Sequence, residues 1–447
     1  MTSDFVTPRR AAPTARSVAA EVLARVLKGG AFASASLDAE LDRNVQLDVR
    51  DKALATELVY GTLRFRGVLE ARIGKYASRG IDAIDPRVLA VLEVAAYQLL
   101  VLTRVPAFAA VNEAVSEVRA LRGERVSAFA NAILRRISGE PKPDAEALAK
   151  EAFEAVDPAL SGAIVRAVGE EGARHLFFPD GAPPLGLRVE DARERDAWLD
   201  KLRAARPDAT FEAGRVSPHA ILARGTGRTF DLPGYAEGAW TPQEEGSQVV
   251  ALALGARSGD VVLDACAGRG NKTGLLLGEV GASGAVDAAD LHPKKLERLK
   301  EELSRIHCRP RATFAVDWSV GHGDAKGPYD RVLVDAPCSG TGTLRRRPEI
   351  LLRRALSDAD RLAVVQRAIL KHAAQSLKTG GRLVYAVCSV LPQEAEDVVQ
   401  DAPQLGLASV PFESEALRAV AQERTSLRLL PHVHGTDGYF LASFVRI

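Results

Sequence analysis

Cysteine is scarce in this chain of 447 residues, and the way it is distributed excludes two classes of protein. The four cysteines are Cys266, Cys308, Cys338 and Cys388, and no two of them form a CxxC pair. Disulfide scaffolds and zinc sites need paired, closely spaced cysteines, so neither is expected. We therefore expect reduced thiols in a cytoplasmic protein.

Long apolar runs and an excess of one charge are also lacking. The most apolar stretch, Val88 to Val105, is interrupted by Glu93 and Arg104, so it predicts a buried helix and not a membrane span. The first 20 residues lack the apolar segment of a secretory signal. Lys and Arg total 59 against 58 Asp and Glu, a net charge of +1. A nucleic-acid partner would therefore have to be bound by local basic patches.

Three regions differ in their residue patterns. Residues 1–140 have apolar residues at helical spacing and predict five or six helices, with 20 basic and 16 acidic residues. Residues 141–235 contain Pro- and Gly-rich turns, with 13 basic and 16 acidic residues, and predict a linker with a small α+β unit. Residues 236–447 alternate β-rich segments with helical ones, which is typical of a doubly wound, largely parallel sheet.

A turn containing glycine is the first candidate ligand site. Residues 261–273, VVLDACAGRGNKT, predict a strand, a turn and a helix whose N-terminal N–H groups could face a ligand. A P-loop would need glycine where Cys266 and Asn271 stand, so triphosphate binding is disfavoured. An ordinary tight turn would explain the glycines as well. Asp290, 22 residues after Gly268, favours nucleoside binding because an acidic residue at this distance can bind ribose hydroxyls.

Chemically active side chains follow several of the predicted strands. Three successive strands end in Asp290, Asp317 and Asp335, at the edge where open α/β sheets bind ligands. One such aspartate could be a helix cap, but three in register favour a site. Cys338 follows one strand in DAPCSGTG, and Cys388 ends another, VYAVC. These positions favour a functional role for the two thiols.

The remaining cysteines and the strand before Cys388 carry simpler expectations. We expect Cys266 and Cys308 to be packing residues. We also expect the helix before the Cys388 strand to be closed by the glycine pair 380–381.

Arginines are concentrated directly after the Cys338 loop, in LRRRPEILLRR at residues 344–354. Such a run often lies on a solvated surface. Next to a predicted catalytic edge, in a region whose charges cancel, contact with nucleic-acid phosphates is the better interpretation. The residues concerned are Arg345, Arg346, Arg347, Arg353 and Arg354.

In order and spacing, these motifs resemble those of the RsmB/NSUN (Sun) family of RNA cytosine-C5 methyltransferases. The matching segments are DACAGRGNKT, DAPCSGTG followed by RRRP, and VYAVCSVLPQEAE, with QEEGSQ before them and HGTDGYF after them. In the first region, DKALATELVYGTLR, YQLL, RVP and FANAILRR resemble the NusB-like RNA-binding domain of RsmB-type 16S rRNA methyltransferases. The resemblance is weakest at 141–235, where only PPLGLRV is similar.

The resemblance implies a multidomain fold. An all-α NusB-like domain would occupy 1–140, and a linker with a small α+β RNA-recognition subdomain would occupy 141–235. An α/β, Rossmann-like class I methyltransferase domain would occupy 236–447. The residues that would hold S-adenosylmethionine in the turn are Cys266, Ala267, Gly268, Arg269, Gly270, Asn271 and Lys272.

The same resemblance implies roles for the strand-end residues. Asp290 would bind the ribose of S-adenosylmethionine, Asp317 would lie near the adenine, and Asp335 would lie near the methionine end and the target base. Cys388 occupies the family's nucleophile position, and Cys338 matches the cysteine that assists release of the methylated base. The expected catalytic residues are therefore Cys388, Cys338 and Asp335.

These residues lead to the hypothesis of methylation at C5 of a cytosine in 16S rRNA through a covalent bond between Cys388 and C6. The same chemistry on tRNA is one alternative. Another is a non-catalytic RNA-binding or ribosome-assembly factor with a degenerate methyltransferase fold, because the turn has GRGN where the family has APGG. We expect 16S rRNA as the partner, a monomer in the cytoplasm, and neither a metal nor a membrane.

Overall fold

The computed structural model describes residues 13–447, so predictions on residues 1–12 lie outside it. Its contacts divide the chain into two compact units. Of the described residues, the first unit comprises 13–161 with Arg346–Arg353, and the second comprises Gly162–Arg345 with Arg354–Ile447. The three-region division made from the sequence stays a prediction.

The first unit is helical, as predicted. Its helices are α1 Ala15–Gly29, α2 Ala33–Arg43, α3 Val49–Tyr76, α4 Pro86–Leu100, α5 Ala107–Arg122, α6 Glu124–Ser138, α7 Ala145–Glu154 and the start of α8 Pro158–Phe177. The Thr14 side chain caps α1, the Asp48 side chain caps α3, and Asp85 followed by Pro86 begins α4. Each cap satisfies N–H groups that the first helical turn leaves unpaired.

Most of the apolar stretch singled out in the sequence lies in α4, which ends at Leu100. Nearly all of its side chains are buried, and they pack with α1 and α3 around a core that includes Leu23, Leu58 and Leu92. Glu93 is fully buried and pairs with Arg66 at 3.0 Å, while burial raises the pKa of its carboxyl to about 7. Within residues 13–447, no helix has the length and apolar character needed to cross a bilayer.

The second unit contains a small antiparallel sheet. Its strands are β1 Leu185–Val189, β2 Thr210–Ala213, β3 Ala220–Arg224 and β4 Trp240–Pro242, in the order β2-β3-β1-β4. Helix α9, Arg195–Ala205, lies between β1 and β2 in the chain and packs on this sheet. The fully buried Trp240 is the largest side chain in its core.

The larger sheet of the second unit confirms the predicted α/β architecture. Its strands are β5 Val261–Asp264, β6 Ala285–Asp290, β7 Ala312–Ala315, β8 Tyr329–Asp335, β9 Leu377–Val387, β10 Leu407–Ser409, β11 Ser426–Leu429 and β12 Tyr439–Arg446. The order is β10-β12-β9-β8-β5-β6-β7, with β11 also paired to β12. The strands from β9 to β7 are parallel, and β12 is antiparallel to β9. The carboxyl ends of β5, β6, β8 and β9 therefore meet at one edge.

Helices connect these strands along the chain. They are α10 Glu245–Ala253, α11 Asn271–Val280, α12 Pro293–Arg305, α13 Leu356–Gln375, α14 Glu396–Val399, α15 Arg418–Ala421 and α16 Pro431–His434. Apolar side chains cover the sheet in two buried clusters, one of which includes Leu263, Val332 and Tyr385, and the other Val262, Leu276 and Leu333.

One detail near β9 differs from the prediction. Helix α13 ends at Gln375, and the glycine pair 380–381 lies inside β9. Leu377 pairs with Tyr329 while Arg382 pairs with Arg331, so the pairing register of β9 shifts across the intervening residues. Gly380 has a φ of +76°, a conformation that glycine adopts without strain, which explains why the glycines lie there.

Candidate active site

The turn between β5 and α11 has the form of a ligand cradle. Gly268 has a φ of +58°, and its N–H donates to Asp290 Oδ2 at 3.1 Å, which joins the turn to the end of β6. Apart from Gly268 and its two chain neighbours, no heavy atom of the described residues would lie within 4 Å of a Cβ at Gly268, so the space beside it is open. Gly270 is different, because a Cβ there would lie 2.8 Å from Leu299 Cγ. The first glycine thus leaves room for a ligand, and the second allows α11 to begin against α12.

Asp264, at the end of β5, is a site residue that the sequence analysis did not single out. Its side chain is fully buried, its Oδ2 accepts a hydrogen bond from the Thr273 hydroxyl at 2.8 Å, and its Oδ1 has no partner among the described residues. Burial raises the pKa of this carboxyl to about 7. A signal was available, because VVLD ends in aspartate as the next three predicted strands do in the sequence.

The two unusual side chains of the turn have different surroundings. Arg269 is exposed to solvent. Asn271 donates from Nδ2 to the carbonyl of Pro242 at 3.2 Å, so its amide is held by the end of β4. An open cradle, an acidic residue at the end of β6 and an unpaired buried oxygen on Asp264 fit a bound nucleoside cofactor.

Lys272 forms an ion pair across the sheet edge. Its Nζ lies 2.6 Å from Asp335 Oδ2, and the two side chains are 16% and 22% exposed. Burial alone would lower the pKa of Lys272, but the Asp335 carboxylate outweighs it and raises the pKa. The carboxylate predicted to lie near the target base is therefore matched by a charged amine from the cofactor turn.

The other two predicted aspartates have different surroundings. Asp290 is buried, its Oδ1 accepts from the N–H of His292 at 2.9 Å, and Lys295 lies 3.4 Å away. Asp317 is exposed and lies two residues beyond the end of β7, where it accepts hydrogen bonds from the N–H and hydroxyl of Ser319. The prediction that a strand ends at Asp317 is therefore wrong, because β7 ends at Ala315.

Cys338 and Cys388 lie together at the same edge. Their Sγ atoms are 3.2 Å apart, and the N–H of Gly342 donates to the Cys388 carbonyl at 3.0 Å. The hydrogen bond with Cys388, followed by burial, raises the pKa of the Cys338 thiol well above its usual range. The two residues are 50 positions apart in the chain, so the sheet brings the thiols together.

The other two cysteines pack among apolar side chains. Burial is the main cause that raises the pKa of both the Cys266 and the Cys308 thiols. Cys266 packs against the core that contains Leu263, and Cys308 packs against the apolar side chains of α12. Neither thiol has a close sulfur partner, in contrast to Cys338 and Cys388.

The arginine-rich segment contains two side chains held by protein groups. In the second unit, Arg345 is buried, forms an ion pair with Asp437 and donates to the Gly435 carbonyl at 2.9 Å. In the first unit, Arg353 donates to the Gly30 carbonyl at 2.8 Å and to the carbonyls of two further residues at the end of α1. The predicted phosphate contacts are therefore better suited to Arg347, which is exposed, and to Arg354.

Glu244 contacts both of the motifs that stand before and after the other matching segments in the sequence. Its carboxylate accepts from the N–H of Ser247 at 3.0 Å, which caps α10, and from the N–H of Asp437 at 2.9 Å. The segments QEEGSQ and HGTDGYF therefore meet at Glu244, although they are nearly 200 residues apart. The sequence identified both segments but gave Glu244 no role.

Comparison with known proteins shows which family the chain belongs to. The family described as 16S rRNA methyltransferase RsmB/F matches residues 251–445, and the NusB family matches residues 13–139. The chain is 34% identical over 445 residues to the ribosomal RNA small subunit methyltransferase B of Pseudomonas syringae pv. tomato, covering 97% of both chains. It is 31% identical over 446 residues to the probable ribosomal RNA small subunit methyltransferase B of Bacillus subtilis, covering 96% of this chain and 98% of the relative.

Solved structures share the fold. The crystal structure of PH0851 has a TM-score of 0.82 at 21% identity, over 97% of this chain and 99% of that chain. NSun6 from Pyrococcus horikoshii, solved with SFG, has a TM-score of 0.56 at 18% identity, over 65% of this chain and 98% of that chain. The chain therefore belongs to the RsmB/F family of 16S rRNA methyltransferases, and it is an S-adenosylmethionine-dependent enzyme with a NusB-family domain at residues 13–139.

Proposed function

We propose that this enzyme methylates C5 of a cytosine in 16S rRNA through a covalent bond between Cys388 and C6 of the base. The observation that carries the proposal is the pair of thiols, Cys338 and Cys388, with 3.2 Å between their sulfur atoms at the cofactor edge of the sheet. A single nucleophile would not require a second thiol beside it. A reaction that forms and then breaks a thioether bond uses two ionisable groups in succession.

The chemistry requires these groups in order. C5 of cytosine is a weak nucleophile, so the Cys388 thiolate first adds to C6 and makes C5 electron-rich. S-adenosylmethionine supplies an electrophilic sulfonium methyl group to this carbon. A base then removes the proton from C5, the C6–S bond breaks, and the C5–C6 double bond returns as the thiolate leaves. Cys338, or alternatively Asp335, serves in this release step.

The remaining site residues bind the two substrates. The turn from Cys266 to Lys272 holds S-adenosylmethionine, with Asp290 at the ribose and Asp317 at the adenine. Asp335, paired with Lys272, is directed to the methionine end and the cytosine. Because C5 and C6 are inaccessible in a stacked helix, the cytosine must be unpaired or flipped out of the helix.

Small-subunit rRNA is the substrate best supported. The relatives from Pseudomonas syringae and Bacillus subtilis are named as ribosomal RNA small subunit methyltransferases and match nearly the whole chain. Residues 1–140 have an excess of basic over acidic side chains, 20 against 16, which suits RNA binding. The surface arginines of the segment after the Cys338 loop are proposed to contact RNA phosphates.

Methyl transfer to defined RNAs tests this function. Purified protein is incubated with tritiated S-adenosylmethionine and either 16S rRNA or bulk tRNA, and the modified position is mapped by bisulfite sequencing. We expect label at a cytosine of 16S rRNA, no transfer by Cys388→Ala, and full transfer by the matched control Cys308→Ala. Label in tRNA alone would reject the substrate, and normal transfer by Cys388→Ala would reject the nucleophile.

Cofactor titration separates the enzyme from a binding module. We expect the wild-type protein to bind S-adenosylmethionine in a calorimetric titration, because the cradle beside Gly268 is open. No heat of binding, together with retained RNA binding, would favour a non-catalytic RNA-binding factor.

A further inference from the structure

A buried carboxyl group lies beside the two thiols and has no part in the chemistry described above. Glu394 ends the short 3-10 turn Pro392–Glu394 that follows β9, and its side chain is 0% exposed. Its side chain is held by hydrogen bonds from uncharged groups. Burying an ionisable group without an opposite charge costs free energy, so this group must be compensated by hydrogen-bond donors.

Those donors come from the Cys338 loop and from α13. Oε1 of Glu394 accepts from the N–H of Ser339 at 2.7 Å and from Nε2 of Gln366 at 3.1 Å. Oε2 accepts from the Ser339 hydroxyl. Nε2 of Gln366 also donates to the carbonyl of Pro337 at 2.8 Å. The residues immediately before and after Cys338 are therefore both held by one carboxyl group and its amide partner.

The same set of contacts reaches the residue after Cys388. The hydroxyl of Ser389 lies 3.3 Å from that of Ser339 and 3.0 Å from that of Thr341. All three hydroxyl residues are buried, so water does not compete for these contacts. The network thus connects the loop of one cysteine to the chain beside the other.

The backbone of Glu394 is itself fixed to β9. The hydroxyl of Tyr385 donates to the Glu394 carbonyl at 2.7 Å, and Tyr385 is fully buried in the strand three residues before Cys388. The backbone that carries this carboxyl group is therefore held by the strand that leads to the proposed nucleophile. The Glu394 side chain extends from this position to the neighbouring Cys338 loop.

We propose that Glu394 is a positioning residue that holds the Cys338 loop against the end of β9 and so sets the distance between the two thiols. This inference rests on the proposed function, since it concerns the release step assigned to Cys338. Removing the carboxyl group would leave the N–H of Ser339 buried without its acceptor and would take the nearest acceptor from the Ser339 hydroxyl, so the loop would move to satisfy them. A displacement of about 1 Å in a catalytic group can cost roughly 100-fold in rate.

Disulfide formation reports the distance between the thiols without requiring activity. Diamide takes up the two thiol hydrogens as its N=N bond becomes a hydrazine, which leaves one S–S bond between Cys338 and Cys388. The product is identified by mass spectrometry of the joined peptides. Variants are Glu394→Ala and Glu394→Gln, with Glu396→Gln as the matched control because that side chain is 50% exposed in an ion pair with Arg428.

We expect wild type and Glu396→Gln to form the disulfide at the same rate, Glu394→Ala about tenfold more slowly, and Glu394→Gln at an intermediate rate. The glutamine keeps one oxygen as an acceptor for Ser339, and it remains informative if the alanine variant fails to fold. The proposal would be overturned if Glu394→Gln formed the disulfide as fast as Glu396→Gln, while Glu394→Ala either formed it at that same rate or failed to fold.

Single-turnover methylation then connects the geometry to the reaction. We expect Glu394→Ala to release methylated RNA roughly 100-fold more slowly, while its dissociation constant for S-adenosylmethionine stays within about twofold of wild type. Ser339→Ala should add little to Glu394→Ala, since both remove the same contact, and additive effects would contradict the role. If wild-type protein methylates no RNA, the proposed function fails, and the disulfide rates still decide whether Glu394 positions the thiols.

Discussion

The buried aspartate at the end of β5 provides a quantitative test of the site's electrostatics. Asp264 has a pKa of about 7, against an ordinary value of 3.8, because burial disfavours its charged form. The folded state therefore holds the proton more tightly than the unfolded state does. This contribution to stability is fully present below pH 3.8 and is lost as the pH rises towards 7.

The size of the effect follows from these two values. Over a rise from pH 5 to pH 8, the unfolded carboxyl stays ionised while the folded one passes from protonated to ionised. For each pH unit between the two pKa values, the free energy of unfolding falls by about 1.36 kcal/mol. The wild type should therefore lose about 3 kcal/mol of stability from this group across that range. Asp264→Asn has no titrating group here, and its amide oxygen can still accept from the Thr273 hydroxyl.

Urea denaturation at several pH values, followed by tryptophan fluorescence, measures the difference. The free energy of unfolding of the wild type minus that of Asp264→Asn should fall by about 3 kcal/mol between pH 5 and pH 8. Taking this difference cancels titrations elsewhere in the chain, such as that of Glu93. If the two proteins show parallel stability from pH 5 to pH 8, the pKa of Asp264 is not raised and the electrostatic account of the cradle is wrong.

Three further outcomes are expected. Cys338→Ala should accumulate an enzyme–RNA complex that survives denaturing electrophoresis, and absence of such a complex would reject its role in release. Arg345→Met should lower the free energy of unfolding by about 3 to 5 kcal/mol in urea titrations, because it leaves the buried Asp437 without its cation; a loss under 1 kcal/mol would contradict this. Arg347→Ala should weaken binding to 16S rRNA and lower its salt dependence by about one ion, measured by filter binding at several salt concentrations, whereas an unchanged slope would exclude a phosphate contact.

Much of the architecture could be predicted because it depends on local patterns. Apolar residues at helical spacing predicted the helices of the first unit, and β-rich segments ending in polar residues predicted the parallel sheet. The same segments located Cys338 and Cys388 at strand ends. Since the carboxyl ends of parallel strands meet at one edge, this was enough to expect both cysteines near the cofactor turn.

What the sequence could not predict depends on partners distant in the chain. The arginine run suggested a surface for RNA, but Arg345 is buried because Asp437, 92 residues later, lies beside it. Glu394 stood in a motif without an assigned role, because its contact with Ser339 spans 55 residues and cannot be seen in the local sequence. The glycine pair 380–381 has the composition of a helix end, yet pairing with β8 places it at a register shift inside β9. In each case tertiary contacts decide the outcome of an ambiguous local signal.

The most direct test of the central claim is to identify the residue that bonds to RNA. A 16S rRNA transcript containing 5-fluorocytidine has no C5 proton to lose, so an enzyme that acts through a C6 adduct should remain attached to it after methyl transfer. After digestion with trypsin and nuclease, mass spectrometry should find a methylated fluorocytidine nucleotide on the peptide that contains Cys388. A nucleotide on the Cys338 peptide, or no adduct from protein that methylates the unmodified transcript, would contradict the account.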